Sequence, residues 1–361
     1  MLPPFQNLTE AAAWYGDWLQ QAALPLWATA GVDQASGSFH EALALDGHPS
    51  GAVRRSRVQS RQTWVFATAA GAGVGDGYAA VAGEGWRFHQ VHYQRPDGLF
   101  AFSADHAGQT VDATPALYEQ AFSLLAMAAL DRRAEAVQLR EALNAMRHGA
   151  GAFRELGARP FQANALMHLF EAALAWEARG DESWRPLSDE LAELALNRFI
   201  DAGSGFLREF YDEEWRPLDE HAGGLVEPGH QFEWAWLLDR WSASRGREDA
   251  RQSARRLYSR GLMGVDLERQ VAVGAIWSGG QVREPLARLW AQTEFLRAAL
   301  TFGTEAEALM AARGLARFLD TPVRGLWRDK MRADGSFVDE PAPATSLYHL
   351  VAGLLPLIQR G

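Results

Sequence analysis

The sequence predicts an all-α fold, an (α/α)6 barrel of about twelve helices with short β-hairpins in the connecting loops. Three observations carry this. Apolar residues recur at i, i+3, i+4 and i+7, as in Leu166, Leu169, Phe170, Ala173 and Leu174, or Leu347, Leu350, Val351 and Leu354. A glycine followed by one or two apolar residues returns at Gly37, Gly98, Gly151, Gly205, Gly274 and Gly325, with spacings of 61, 53, 54, 69 and 51 residues. Near-even spacing of this kind marks an internal repeat. No Pro/Gly/Ser-rich linker or low-complexity tract divides the chain, so residues 1–361 are expected to form one domain.

The helices follow in order. The first is expected over 8–30. The second, over 54–71, carries Arg57 and Arg61, and the third covers 75–94. The fourth, over 113–131, opens with Tyr118-Glu119-Gln120, and the fifth spans 132–148. The sixth, around Leu166–Leu174, bears Asn164, His168 and Glu171, and the seventh covers 182–200. The eighth, over 228–243, begins with Pro228, favoured at a first helical position because its missing N–H is not needed there. His230 and Glu233 follow on one face, three apart. The ninth covers 246–262. The tenth, over 286–302, carries Arg288, Trp290, Gln292 and Glu294; the eleventh covers 304–320; the twelfth, around Leu347–Leu354, carries Tyr348 and His349. Strand signals such as Gly205-Phe-Leu-Arg-Glu-Phe-Tyr211 are short and confined to connections. Alternate helices are expected to form an inner ring.

Composition narrows the function. The net charge of −10 argues against nucleic acid, which requires a basic footprint. There is no Cys, which excludes disulfides, thiolate catalysis and Cys-based metal centres. The single Lys, Lys330, and the absence of a phosphate-binding glycine loop leave no dedicated lysine phosphate clamp. Fourteen Trp lean towards carbohydrate, because indole rings stack on sugar faces. No signal peptide and no membrane span is apparent, so a cytoplasmic protein without membrane partners is expected. It is read as a monomer or homodimer acting on a small molecule.

Polar groups near the starts of the inner helices form the expected pocket mouth, where helix dipoles and N–H groups favour anionic species such as an enediolate. Three imidazoles, His168, His230 and His349, stand on different helices, and His is the readiest proton carrier at neutral pH. Small residues share the faces of two of them: Ala172 and Ala175 with His168, Ala352 and Gly353 with His349. The pairs His168/Glu171 and His230/Glu233 invite a metal reading. No His-Glu-x-x-His or Asp-rich loop supports it, so no metal or cofactor is expected. His89, His92 and His106 lack such a context and are given no role.

Five segments together resemble the N-acylglucosamine 2-epimerase superfamily, which includes mannose isomerases, sulfoquinovose isomerase and cellobiose 2-epimerase. They are Arg61-Gln-Thr-Trp-Val-Phe66, Asn164-x-x-Met-His168-Leu-x-Glu171-Ala, Glu227-Pro-Gly-His230-x-Phe-Glu233-Trp, Trp290-x-Gln-x-Glu294 and Ser346-x-Tyr-His349-Leu. The resemblance implies an (α/α)6 barrel and metal-free proton transfer at C2 of a reducing sugar. It makes His230 and His349 the acid/base pair, with His168 and Arg61 assisting ring opening or holding the carbonyl oxygen. It gives Glu233 the task of orienting His230, and Glu171 the same task for His168. Trp290 would lie against the sugar. Tyr118, Asn164, Glu171, Gln292 and Glu294 complete the expected substrate-binding set. Disaccharide epimerases of the family carry a Trp where this chain has Ala344, which favours a monosaccharide. The expected reaction is aldose–ketose isomerisation of the D-mannose/D-fructose type through a cis-enediolate. A 2-epimerase on mannose/glucose or an N-acyl hexosamine is the alternative; a glycoside hydrolase or a sugar-binding protein on the same barrel is more remote.

Overall fold

A computed structural model describes residues 5–51, 53–218 and 224–360. Part of the amino-terminal stretch read above for a signal peptide, residues 1–4, lies outside them. The first helical run is α1 (Leu8–Trp18), continued by a π turn at Leu19–Ala23 and a last stretch at Leu24–Thr29. There follow α2 (Ser56–Gly71), α3 (Tyr78–Tyr93), α4 (Leu117–Ala129), α5 (Arg133–Ala142), α6 (Ala163–Ala178) and α7 (Arg185–Leu194). Then come α8 (Pro228–Arg245), α9 (Glu248–Leu262), α10 (Leu289–Phe302), α11 (Glu305–Ala316) and α12 (Thr345–Ile358). The expected helices are therefore present, with ends drawn in by a few residues where the chain passes into 3-10 or π turns, as helix ends do.

The even-numbered helices close a ring, each packed on the next, with α12 returning to α2. Each odd helix from α3 to α11 packs outside the helix before it. The sixth pair is not contiguous in sequence. The first run, α1, packs on α12 and α11, so the sixth pair is assembled from the two ends of the chain. Turns from inner to outer helices are short; those from outer to inner are long. All the long loops therefore gather at the end of the barrel where the inner helices begin.

These loops are stitched to one another around that end. Ala42–Leu43 pairs with Pro49–Ser50 and with Ala342–Pro343, joining the loops before α2 and α12. Arg54–Arg55 pairs with Ser103–Ala104, tying the next loop in. Leu225–Val226 and Ala275–Trp277 join the loops before α8 and α10, and Ala287–Arg288 with Lys330–Met331 joins those before α10 and α12. Phe210 bridges to Gln162. Glu155, from the loop before α6, caps α4 by accepting from Leu117 N–H and Tyr118 N–H at 2.7 and 2.9 Å, which satisfies two of the free donors of a helix start.

The glycine marks are the bends of these loops. Gly37, Gly98, Gly151, Gly205 and Gly325 all have positive φ, a region open to glycine at little cost; Gly274 is the exception. In four of the six repeats a glutamine at the fourth position of the inner helix grips the backbone beside the mark, just after it in three repeats and just before it at Ala272. Gln59 holds both N–H and C=O of Phe39, Gln120 those of Phe100, Gln231 those of Leu207 and Gln292 those of Ala272, at 2.7–3.0 Å. Each clamp pairs two backbone groups that burial would otherwise orphan.

Most of the tryptophans serve packing. Trp18, Trp27, Trp86, Trp176, Trp184, Trp215, Trp234, Trp241 and Trp327 are fully buried, and only Trp290 faces the main cavity. Among the described residues, no helix is long and apolar enough to cross a membrane.

Candidate active site

A cavity of about 510 Å³ opens among the long loops, at the starts of the inner helices. Arg61, Tyr118, Asn164, His168, His230, Glu233, Trp290 and His349 line it. The three imidazoles therefore meet in one pocket, as expected. The local sequence explains how α8 delivers its share. Pro228 sets the first turn, and a Cβ on Gly229 would lie 2.5 Å from the Trp290 ring. Glycine there lets α8 approach α10, so that His230 rests against Trp290 with ring centroids 5.0 Å apart. His349 lies on the same indole, 5.8 Å from its centroid. Gly353, one turn further along α12, has no room for a Cβ against Thr293 of α10.

Each imidazole gives its Nδ1 proton to a carboxylate, which turns Nε2 away from the protein. His349 pairs with Glu294 at 2.9 Å and His168 with Glu171 at 3.3 Å. For His230 the structure corrects the sequence. Its partner is Glu209 at 2.8 Å, with Glu227 at 3.9 Å. Glu233 instead lies 3.8 Å from His168 Nδ1 and has no hydrogen-bond partner on either oxygen. At an i, i+3 spacing the two side chains of α8 point into the same cavity, but Glu209 reaches His230 from the loop behind it. Three more assignments move. Glu171 and Glu294 lie beneath the histidines, outside the cavity lining, and Gln292 is spent on its backbone clamp. None of these three faces the space a sugar would fill.

The electrostatics separate the three rings. Burial opposes a charge on all of them. At His230 the charges of Glu209 and then Glu227 outweigh burial and push the ring up to about 10. At His168 burial prevails over Glu171 and pulls the ring down to about 4. At His349 burial, reinforced by Arg61, holds the ring well below its ordinary value. The surroundings thus favour the charged form of His230 and the neutral forms of His168 and His349. Glu233 is pushed far above the usual carboxylate range by burial and by the neighbouring Glu294 and Glu171.

Arg61 donates to Tyr118 Oη at 2.6 Å and to the Thr345 carbonyl at 3.3 Å, and its guanidinium lies 4.0 Å from the Phe122 centroid. Among the described residues it makes no ion pair with a carboxylate, unlike its neighbours Arg57 with Glu119 and Arg55 with Glu41. Asn164 Oδ1 is buried without a partner at the cavity wall. Sequence reasoning missed Glu209, which sits in a loop with no motif to mark it. It also missed Arg297, which lies below the histidines; an arginine among Phe295, Leu296, Ala298 and Ala299 on an inner helix was the available signal. Among the described residues, three groups bring three donor atoms within 4.8 Å of one another and so have the spacing of an ion site: His168/Glu171/Glu233, Glu209/Glu227/His230 and Glu233/Glu294/His349. In two of these, Arg297 already contacts one of the carboxylates.

The chain can now be set beside known proteins. A family model for N-acylglucosamine 2-epimerase matches residues 37–353. A protein of Rhizobium meliloti (strain 1021) named mannose-6-phosphate isomerase is 44% identical over 366 residues, covering 94% of this chain and 95% of that one. The solved structure of a D-mannose isomerase superposes with a TM-score of 0.88 at 19% identity, over 99% of this chain and 100% of the other. That of cellobiose 2-epimerase from Bacillus thermoamylovorans B4167 gives 0.86 at 19% identity, over 97% and 99%. With a family match across most of its length, a relative of this identity and the barrel of those enzymes, this chain belongs to the N-acylglucosamine 2-epimerase family of sugar isomerases and epimerases.

Proposed function

We propose that this enzyme interconverts a monosaccharide aldose and its 2-ketose, of the D-mannose/D-fructose type, by metal-free acid/base catalysis. One observation carries the reading: two imidazoles, one held by Glu209 and one by Glu294, flank a single tryptophan in a cavity that also contains an arginine with no carboxylate partner among the described residues. Neutral His349 takes the C2 proton of the open-chain aldose. Arg61 donates to the oxygen of the resulting cis-enediolate, since C–H acidity rests on stabilising that oxyanion. His349 returns the proton to C1 while a proton passes between O1 and O2, and the product is the 2-ketose. His230, an imidazolium, supplies the acid for ring opening, with His168 beside it, and Trp290 supports the sugar. General acid–base steps of this kind contribute about 10²–10⁴-fold each.

Single-base transfer from C2 to C1 needs only His349 on one face of the sugar. A 2-epimerisation needs a base on one face of C2 and an acid on the other, roles that His349 and His230 would take, so the first-formed product separates the two outcomes.

A phosphorylated hexose is the second reading. The relative at 44% identity is named for mannose 6-phosphate, and Arg55, Arg57 and Arg288 stand in the cavity wall. The test is incubation with D-mannose and with its 6-phosphate in D₂O, with and without a chelator. Fructose, or its phosphate, labelled at C1 supports the isomerase and identifies the substrate. Glucose as first product favours the epimerase. Loss of activity to the chelator, restored by a divalent ion, overturns the metal-free chemistry.

A further inference from the structure

Beneath the cavity the two neutral histidines are joined by one side chain. His349 Nδ1 meets Glu294 Oε1 at 2.9 Å, and the other oxygen of that carboxylate, Oε2, lies 3.3 Å from Arg297 Nη1. Arg297 Nη2 lies 3.8 Å from Glu171 Oε1, while Glu171 Oε2 receives His168 Nδ1 at 3.3 Å and the Tyr348 hydroxyl. The chain His349–Glu294–Arg297–Glu171–His168 thus crosses from α12 through α10 to α6. Arg297 is only 5% exposed, and its guanidinium stacks 3.2 Å from the centroid of Trp236. That plane fixes the fork so that it faces both carboxylates.

We propose that Arg297 is a positioning residue shared by His349 and His168, which keeps both carboxylates able to accept the Nδ1 protons and so leaves both Nε2 lone pairs facing the sugar. The assignment rests on the reading of these rings as neutral proton carriers. The local charges support it. The groups facing the two rings are Arg61 above, Arg297 below, Arg288 on the His349 side, and the carboxyls Glu171, Glu294 and Glu233. With Glu233 protonated, the arginines offset the carboxylates of Glu171 and Glu294, and neither imidazole is required to charge. Burial drives Glu294 towards protonation and Arg297 opposes it. Without the guanidinium the cluster would bind a further proton, either on a ring or on Glu294. Both outcomes remove a basic Nε2. A protonated Glu294 would donate to Nδ1 and reverse the tautomer.

The test uses ¹⁵N NMR of the histidine rings in the full, substrate-free protein at pH 7, with the two rings assigned through His168→Asn and His349→Asn. In the wild type both rings should show a protonated Nδ1 and a bare Nε2. In Arg297→Gln both should lose that pattern, and kcat should fall by at least about tenfold with KM nearly unchanged, the signature of a group acting in the chemical step. In Arg297→Lys the single ammonium cannot span both carboxylates, so one ring should keep the wild-type pattern and the other lose it. If Arg297→Gln fails to fold, the lysine variant alone decides. Wild-type patterns on both rings in either folded variant overturn the proposal. Because the spectra need no substrate, that failure is distinct from a failure of the isomerase reading, which the D₂O labelling reports.

Discussion

A carboxylate 2.8 Å from His230 Nδ1 does two things to that ring: it fixes the orientation and it retains the proton. Burial alone would discharge His230; Glu209, at 3% exposure, and Glu227 reverse this. An acid that must stay protonated loses activity as pH rises through its pKa, so the wild-type kcat profile should fall only towards pH 10. Glu209→Gln removes the nearer negative charge and lowers that pKa. The alkaline limb should then move to lower pH by one unit or more while KM changes little. A limb that stays in place would remove Glu209 from this role. Glu233 offers a test of opposite character. Its carboxyl has a raised folded-state pKa, so folding takes up a proton, and stability declines as pH rises above the unfolded carboxylate value. Glutamine has no proton to take up. Glu233→Gln should therefore gain stability over the wild type at pH 8 and gain little at pH 5. The expected gain is about 1.4 kcal/mol for each pH unit over which the wild-type carboxyl resists ionising. Thermal melts at the two pH values measure the difference, and an equal or reversed effect would mean that Glu233 is ionised in the fold.

At the scale of elements, the inner helices were legible because their apolar period is long and their starts carry strong signals, Pro228 above all. What period cannot show is where a loop residue lands. Glu209 sits 21 residues before His230 in a segment whose strand signal resolves into isolated bridges at Leu207, Phe210 and Tyr211. Gln292 misled for a related reason: a glutamine on the helix of Trp290 resembles a ligand for hydroxyls until its backbone partner at Ala272 is seen. At Gly37, Gly98 and Gly205 the glycine bend and the glutamine clamp together fix the loop on its helix. Gln120→Ala would leave the N–H and C=O of Phe100 unpaired in the interior. At about 1–3 kcal/mol for each of the two orphaned groups, urea denaturation should show a loss of about 2–6 kcal/mol, with the active-site residues themselves untouched. A loss below about 0.5 kcal/mol would mean that water replaces the clamp.

Across the whole molecule, closure of the ring depends on a contact the repeat pattern could not assign. Six marks imply six pairs, but the period is silent on which outer helix covers α12, because that neighbour lies at the opposite end of the chain. The structure gives the place to the first helical run. Trp27 stacks on Trp327 with centroids 4.7 Å apart and planes 15° from parallel, and its Nε1 donates to the Gly325 carbonyl at 3.2 Å. Tyr15 gives its hydroxyl proton to the Ala312 carbonyl at 2.6 Å. The last inner helix, which carries His349, is itself packed on its outer side by α1. Trp27→Ala opens this seam by removing a fully buried ring, a change that costs about 3–5 kcal/mol. If the ring of helices is one cooperative unit, the loss should lower a single unfolding transition, with near-ultraviolet circular dichroism and sugar turnover failing together. Two separated transitions, with the tertiary signal of the seam lost before turnover, would show that α1 is a detachable cover and that the inner ring holds His349 in place without it.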